Sequence, residues 1–245
     1  MLRLTRSRLA VRIDTIAPPG AVLDVGSGDG TLVRALKRQG RSARGLERGD
    51  PPLSELPGPW AAIVFWHSLE HLPAPVTGLR QAAAQLAPGG VLIVAIPNAE
   101  SLQAHAFSDR WLALDLPRHL THASAPALRT ALEALDLHVE RESYWRGGQV
   151  GFGWLHGFVG ILPGRPNLYS AVRRPQARPA SMTALARTYA LVAACGLAPF
   201  AMAASGVEVL LHRGGSVYME ARRQSSAMTV PRAASLGSIA AGEGL

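Results

Sequence analysis

Val22-Leu-Asp-Val-Gly-Ser-Gly-Asp-Gly-Thr31 is the stretch on which the fold of this chain turns. Val22, Leu23 and Val25 are apolar strand formers. Glycines at 26, 28 and 30 let the backbone turn sharply and let a ligand approach closely. Thr31-Leu-Val-Arg-Ala-Leu-Lys37 continues with helical spacing, Leu32, Val33 and Leu36 sharing one face. Strand, glycine turn and helix in that order surround a ligand with backbone amides and a helix N-terminus.

The spacing differs from the dinucleotide fingerprint G-x-G-x-x-G. The third glycine, Gly30, comes one residue early and threonine stands at 31. Asp24-x-Gly26-x-Gly28-x-Gly30 instead resembles the turn of the class I S-adenosylmethionine-dependent methyltransferases. The resemblance implies an α/β, Rossmann-like, doubly wound and mainly parallel sheet with helices on both faces. It implies S-adenosyl-L-methionine as cofactor, with Asp24, Gly26, Ser27, Gly28 and Gly30 cradling its amino-acid end. An acid closing the second strand is then expected to hold the ribose. Ser42-Ala-Arg-Gly-Leu-Glu47 supplies it, 21 residues after Gly26. A carboxylate suits a vicinal diol because it accepts two hydrogen bonds. Leu46 and the Pro51-Pro52 loop are placed at the adenine, and His67 along the cofactor site.

Strands and helices alternate through the middle of the chain, which favours a parallel sheet. A helix is expected over 4–17, strands over 61–66 and 91–96, and a helix from Pro75 to Leu86 closed by Pro88-Gly-Gly90. A helix from Ser124 to about Leu137, a strand over 138–145 and a late strand over 216–221 complete the pattern. The domain organisation follows: an N-terminal helix (1–19), a cofactor-binding domain (20–146 and 214–223), an insertion (147–213) and a small, polar tail (224–245) read as disordered. One departure from the family stands out. Only 13 residues separate Glu47 from Ala61. They are too few and too rich in proline for the usual helix and edge strand, so the third-strand region is trimmed.

A chain of 245 residues, 48% hydrophobic, supports one domain with an insertion. The formal charge of +8 comes from scattered basic residues, Lys37 being the sole lysine, and no aromatics interleave with them. A nucleic-acid partner is therefore not expected. The single cysteine, Cys195, excludes an internal disulfide and fits a reducing cytoplasm. Its apolar surroundings suggest inert packing. The N-terminus lacks the apolar core of a secretory signal, so a cytoplasmic location is expected.

Residues 188–207 carry no charge, and 20 such residues reach the length of a membrane span. Gly196, Pro199 and Gly206 interrupt the run, and Arg173, Arg174, Arg178 and Arg187 precede it as a cytoplasmic flank would. Three readings stay open: a packed helical lid, an interfacial hairpin peripheral to the inner face of the membrane, and a true span. The span sits awkwardly with a last strand that must return to the sheet. An apolar lid suits a small or lipid-like acceptor, such as a polyprenyl or quinone-type precursor, and O-methylation is the expected reaction.

His67-Ser-Leu-Glu70-His71 matches the H-x-x-E-H zinc peptidase pattern. Pro73 and Pro75 leave barely one helical turn for it, which disfavours a zinc hydrolase. The same cluster could brace a turn, or hold a divalent metal on His67, Glu70 and His71. Asp115-Leu-Pro-Arg-His-Leu-Thr-His122 resembles a loop near the substrate mouth in one branch of the methyltransferases. His119 and His122 are the candidate bases for removing a hydroxyl proton. Arg118 could hold an acidic group, while Trp111, Tyr144 and Trp145 could wall an apolar acceptor site. Alternatively Asp115 and Arg118 pair to shape the loop and the histidines pack. Two further functions compete: a cofactor-binding module without turnover, and a membrane-anchored interaction protein.

Overall fold

The computed structural model describes residues 2–144 and 148–223. Six strands form its sheet: β1 (Val22–Val25), β2 (Ala43–Leu46), β3 (Trp60–Trp66), β4 (Leu86–Pro97), β5 (Leu137–Ser143) and β6 (Ser216–Arg223). Their order is β2-β1-β3-β4-β6-β5. The first four run parallel, and β6 lies antiparallel between β4 and β5. β1 and β3 are buried along their whole length, as a parallel sheet covered on both faces requires.

The pleat divides these apolar runs between two cores. Ile63, Phe65, Leu92 and Val94 face α3 (Pro75–Gln85) and α5 (Ala125–Glu133). Ala62, Val64, Val91 and Ile93 face α1 (Leu2–Ile16) and α2 (Thr31–Arg38). Full burial of one such side chain contributes about 1.5–3 kcal/mol. The N-terminal helix is an integral layer: Leu9, Ala10 and Ile13 are buried in the second core. Arg12 of α1 also donates from Nε and Nη2 to buried Glu220 of β6, at 2.9 and 2.7 Å.

Some boundaries differ from those expected. α3 stops at Gln85, and β4 starts at Leu86, because Leu86 already pairs with Trp60 across a register shift. Gly89, at φ 71°, lets the strand pass through Pro88-Gly-Gly90. α5 ends at Glu133, and Asp136 at φ 56° turns the chain into β5. The trimmed segment holds one short turn, Leu53–Glu55. Leu53 and Leu56 there are buried in the main core, and β2 is an edge strand.

The insertion folds as α6 (Gly148–Gly160), α7 (Leu168–Val172) and the long α8 (Ala184–Leu210). Close approach explains the glycines of α6: a Cβ at Gly157 would lie 2.2 Å from the Phe107 ring. α8 buries a narrow stripe, Ala190, Ala194, Ala201, Ser205 and Glu208. The Glu208 carboxylate accepts from the Gln103 amide (3.2 Å), Gln103 Nε2 (2.7 Å) and Trp154 Nε1 (2.8 Å). These bonds tie α8 to α6 and to α4 (Leu102–Phe107). Burial raises the Glu208 pKa against the pull of those bonds. The opposite face of α8, with Leu185, Val192, Phe200, Met202 and Val207, is exposed. Cys195 lies off the buried stripe and is exposed, contrary to the packed position expected of it. The segment 224–245, expected as a disordered tail, lies outside the described residues.

Candidate functional site

The carboxyl end of β1 delivers Asp24 and the glycine turn to one place. Gly26, Gly28 and Gly30 all take positive φ, at 73°, 56° and 67°, which glycine alone adopts cheaply. At Gly26 a Cβ would come within 2.5 Å of the Ser68 Cβ, so the turn packs tightly underneath. At Gly28 a Cβ would meet nothing within 4 Å, so the turn is open above. Asp24 is 1% exposed, and neither carboxylate oxygen has a hydrogen-bond partner among the described residues. Burial pushes its pKa up to about 6, against the attraction of Arg6. A buried carboxylate without partners beside an open glycine turn suits a ligand that carries a cationic group.

Two further charges frame this groove. Glu47 lies just past β2, and its Oε1 accepts from Ser27 Oγ at 2.7 Å and from the Gly28 amide. Its own amide donates to Asp50 Oδ2 at 2.7 Å. The carboxylate is therefore held at the rim of the turn by Ser27 and Gly28. Arg6 of α1 enters from the other side, its guanidinium 4.8 Å from the Trp66 ring centroid. Arg6 Nη1 is buried with no hydrogen-bond partner among the described residues, and burial lowers the Arg6 pKa against the pull of Asp24 and Asp29. Sequence reasoning missed Arg6, because arginines at 3, 6, 8 and 12 of one helix read as a solvated face. Leu46 is buried in the main core, and its carbonyl accepts from the Gly26 amide at 2.8 Å. Pro51 and Pro52 are exposed.

His67, whose neighbour Ser68 packs under Gly26, lines a second compartment. It follows directly on β3 at φ 54°, a strained position for a non-glycine residue. Its Nδ1 lies 3.3 Å from Glu70 Oε1. Beyond it opens a cavity of about 770 Å³. Phe152, Trp111, Leu112, Val150 and Tyr169 give it apolar walls, and Glu70, His71, Asp115, Arg118 and His119 line the polar side. This places it at the carboxyl ends of the strands, where ligands bind in open α/β sheets.

The two loop histidines expected as bases part company. His119 lines the cavity and donates from Nδ1 to the Ala113 carbonyl at 2.7 Å, so Nε2 is its unprotonated nitrogen in the neutral ring. His122 points its Nε2 at the Leu114 carbonyl, 2.9 Å away, and braces the loop outside the cavity lining. Arg118 reaches the cavity while pairing with Asp115 at 3.0 Å, so the loop-shaping pair is present. Trp111 lines the cavity, whereas Tyr144 donates to Glu142 and stacks near His212. Trp145 lies outside the described residues. The H-x-x-E-H segment is one short turn, Leu69–His71, and provides no helix for a peptidase zinc site. The histidine-rich trio assembled in space is Glu70, His71 and His119, with His119 where the sequence suggested His67.

The model of the family described as "Methyltransferase domain" matches residues 1–142. A ubiquinone biosynthesis O-methyltransferase of Xylella fastidiosa is 37% identical over 118 residues, covering 36% of this chain and 48% of the relative. One from Pseudomonas paraeruginosa is 28% identical over 102 residues, covering 31% and 44%. The chain thus spans about half the length of the curated relatives it matches. Among solved structures, an S-adenosylmethionine-dependent methyltransferase from Archaeoglobus fulgidus aligns with a TM-score of 0.53 at 15% identity, over 89% of this chain and 93% of that one. This likeness shows the fold.

Proposed function

This chain belongs to the class I S-adenosylmethionine-dependent methyltransferase family, and on that premise we propose that it methylates a hydroxyl on an acceptor with a bulky apolar portion. The cofactor supplies a methyl group already activated on a sulfonium, so the protein's task is alignment and exclusion of water. Asp24 accepts from the ammonium of the methionyl end, Arg6 pairs with its carboxylate, and Glu47 accepts from the ribose diol. The observation that carries the acceptor reading is the apolar cavity with a histidine–carboxylate side, opening at His67 beside the groove. Phe152, Tyr169 and Trp111 would enclose the apolar part, and His119 presents Nε2 to take the hydroxyl proton. The curated relatives carry the name ubiquinone biosynthesis O-methyltransferase, which agrees with methylation on oxygen.

The insertion supports the lipid-like end of this range. Between Glu142 and Glu208 the chain has no Asp or Glu and six arginines, four of them clustered over 173–187 just ahead of the uncharged run. That basic segment adjoins the exposed apolar face of α8, a combination suited to an anionic membrane surface that delivers such an acceptor. The test uses cofactor labelled in the methyl group and two phenols, one with a prenyl tail and one with a sugar. Label in a methyl ether of the prenylated phenol, at least tenfold faster, is the expected result. Label on nitrogen or carbon, or preference for the sugar, overturns the reading.

A further inference from the structure

We propose that the cofactor groove reads the methionyl and ribose parts of its ligand and leaves the base open to solvent. It would then take S-nucleosylhomocysteines whose base is not adenine, or is enlarged at the exocyclic amino group. The inference rests on the reading that places the ribose diol at Glu47. In such a ligand the sulfur-bearing carbon and the base hang from the two carbons that flank the ring oxygen, and the diol lies opposite. With the sulfur toward the Gly26–Gly30 turn and the diol on Glu47, the base projects away from the turn, past Glu47 and over the start of residues 48–60. The amino edge of the base is the edge farthest from the sugar.

The side chains of that segment suited to clamp a purine are turned inward. β2 is the outermost strand and pairs with β1 alone, so the sheet ends beside Glu47. Leu46, Leu53 and Leu56 are buried in the main core. Trp60, the one aromatic residue of 48–60, lies in the same core and donates from Nε1 to Gln85 Oε1 at 3.1 Å, so it offers no stacking face. Gln85 in turn donates to the Leu53 carbonyl, which fastens the segment to α3. Asp50 braces Glu47 instead of meeting a base: its Oδ2 accepts from the Glu47 amide at 2.7 Å, and its own amide donates to the Glu47 carbonyl at 3.1 Å. Gly49, at φ 102°, lies in this turn, and a Cβ there would meet nothing within 4 Å. Residues 47–52, Ser54 and Glu55 are exposed. Polar groups at such positions exchange a ligand for water at little net gain. Exposed Arg48 follows Glu47 in the chain, and a guanidinium stacks on any base.

The test is calorimetry on the full chain with three ligands: S-adenosylhomocysteine, S-inosylhomocysteine, and S-adenosylhomocysteine carrying a benzyl group on the exocyclic nitrogen. Inosine replaces the amino donor with a carbonyl acceptor, and benzyl adds bulk that a closed pocket would refuse. A site that buries hydrogen bonds to the amino group rejects the inosyl ligand by orders of magnitude. The open groove is expected to bind both analogues within about tenfold of S-adenosylhomocysteine, the range of one exposed hydrogen bond. Glu47→Gln, verified as folded by circular dichroism, is expected to weaken all three by about tenfold or more, because all carry the diol. A larger loss for either analogue, with Glu47→Gln still weakening S-adenosylhomocysteine, overturns the open base and leaves the ribose placement standing. No binding of S-adenosylhomocysteine by the folded wild type, or equal binding by Glu47→Gln, overturns the ribose placement and the open base with it.

Discussion

Replacing Asp24 by Asn is expected to stabilise the ligand-free protein while disabling its cofactor groove. The Asp24 carboxyl titrates near 3.8 when unfolded and is pushed up to about 6 by burial in the native state. Between these values the folded protein holds more protons, so this carboxyl's contribution to stability falls as pH rises through the window and the full penalty stands above pH 6. At about 1.4 kcal/mol per unit of pKa the penalty reaches about 3 kcal/mol. An asparagine side chain carries no charge and escapes it, so Asp24→Asn should be up to about 3 kcal/mol more stable at pH 8. For a chain of this size that is about 6–12 °C in Tm. The gap should shrink as pH falls from 6 and vanish near pH 4. Denaturant titrations of both proteins at pH 8, 6 and 4, without cofactor, measure it. The same variant loses a charge-assisted bond to the methionyl ammonium, about 1.5–3 kcal/mol or 10–150-fold in Kd. Equal stability at pH 8, or a gap that persists at pH 4, refutes the reasoning.

Arg6→Met should weaken S-adenosylmethionine about tenfold or more in calorimetry, yet leave adenosine, which lacks the methionyl carboxylate, unaffected. Glu47→Gln should weaken both ligands, because both carry the ribose diol. Tyr169→Ala, at the cavity wall, should raise KM for an apolar acceptor several-fold with little change in cofactor Kd, as steady-state kinetics would show. Arg173→Gln combined with Arg174→Gln should release about 2 kcal/mol, or roughly 30-fold, of binding to anionic vesicles in a flotation assay.

Local sequence carried the fold where neighbouring residues do the work. The glycine turn, the apolar strands β1 and β3, and the alternation of strand and helix are each specified within a few residues and appear as read, whereas β4 starts at Leu86, five residues before the strand expected over 91–96. The trimmed segment was legible for the same reason, since 13 proline-rich residues cannot hold a helix and a strand. Arg6 was not legible, because its role comes from the packing of α1 beside Trp66. Nor was the partnership of His119 with Glu70 and His71, residues about fifty positions apart that the Leu120–Glu70 backbone bond joins. Cys195 was misplaced because an uncharged helix does not announce which of its faces is covered. α8 chose the stripe of Ala190, Ala194 and Ala201 that lets other helices come close.

A crystal structure with S-adenosylhomocysteine bound decides whether groove and cavity form a single site. The account predicts the ribose on Glu47, the methionyl ammonium on Asp24 and carboxylate on Arg6, and the sulfur facing the cavity past His67. A ligand seated away from the Gly26–Gly30 turn, or with its sulfur turned from the Glu70, His71 and His119 side, would contradict it.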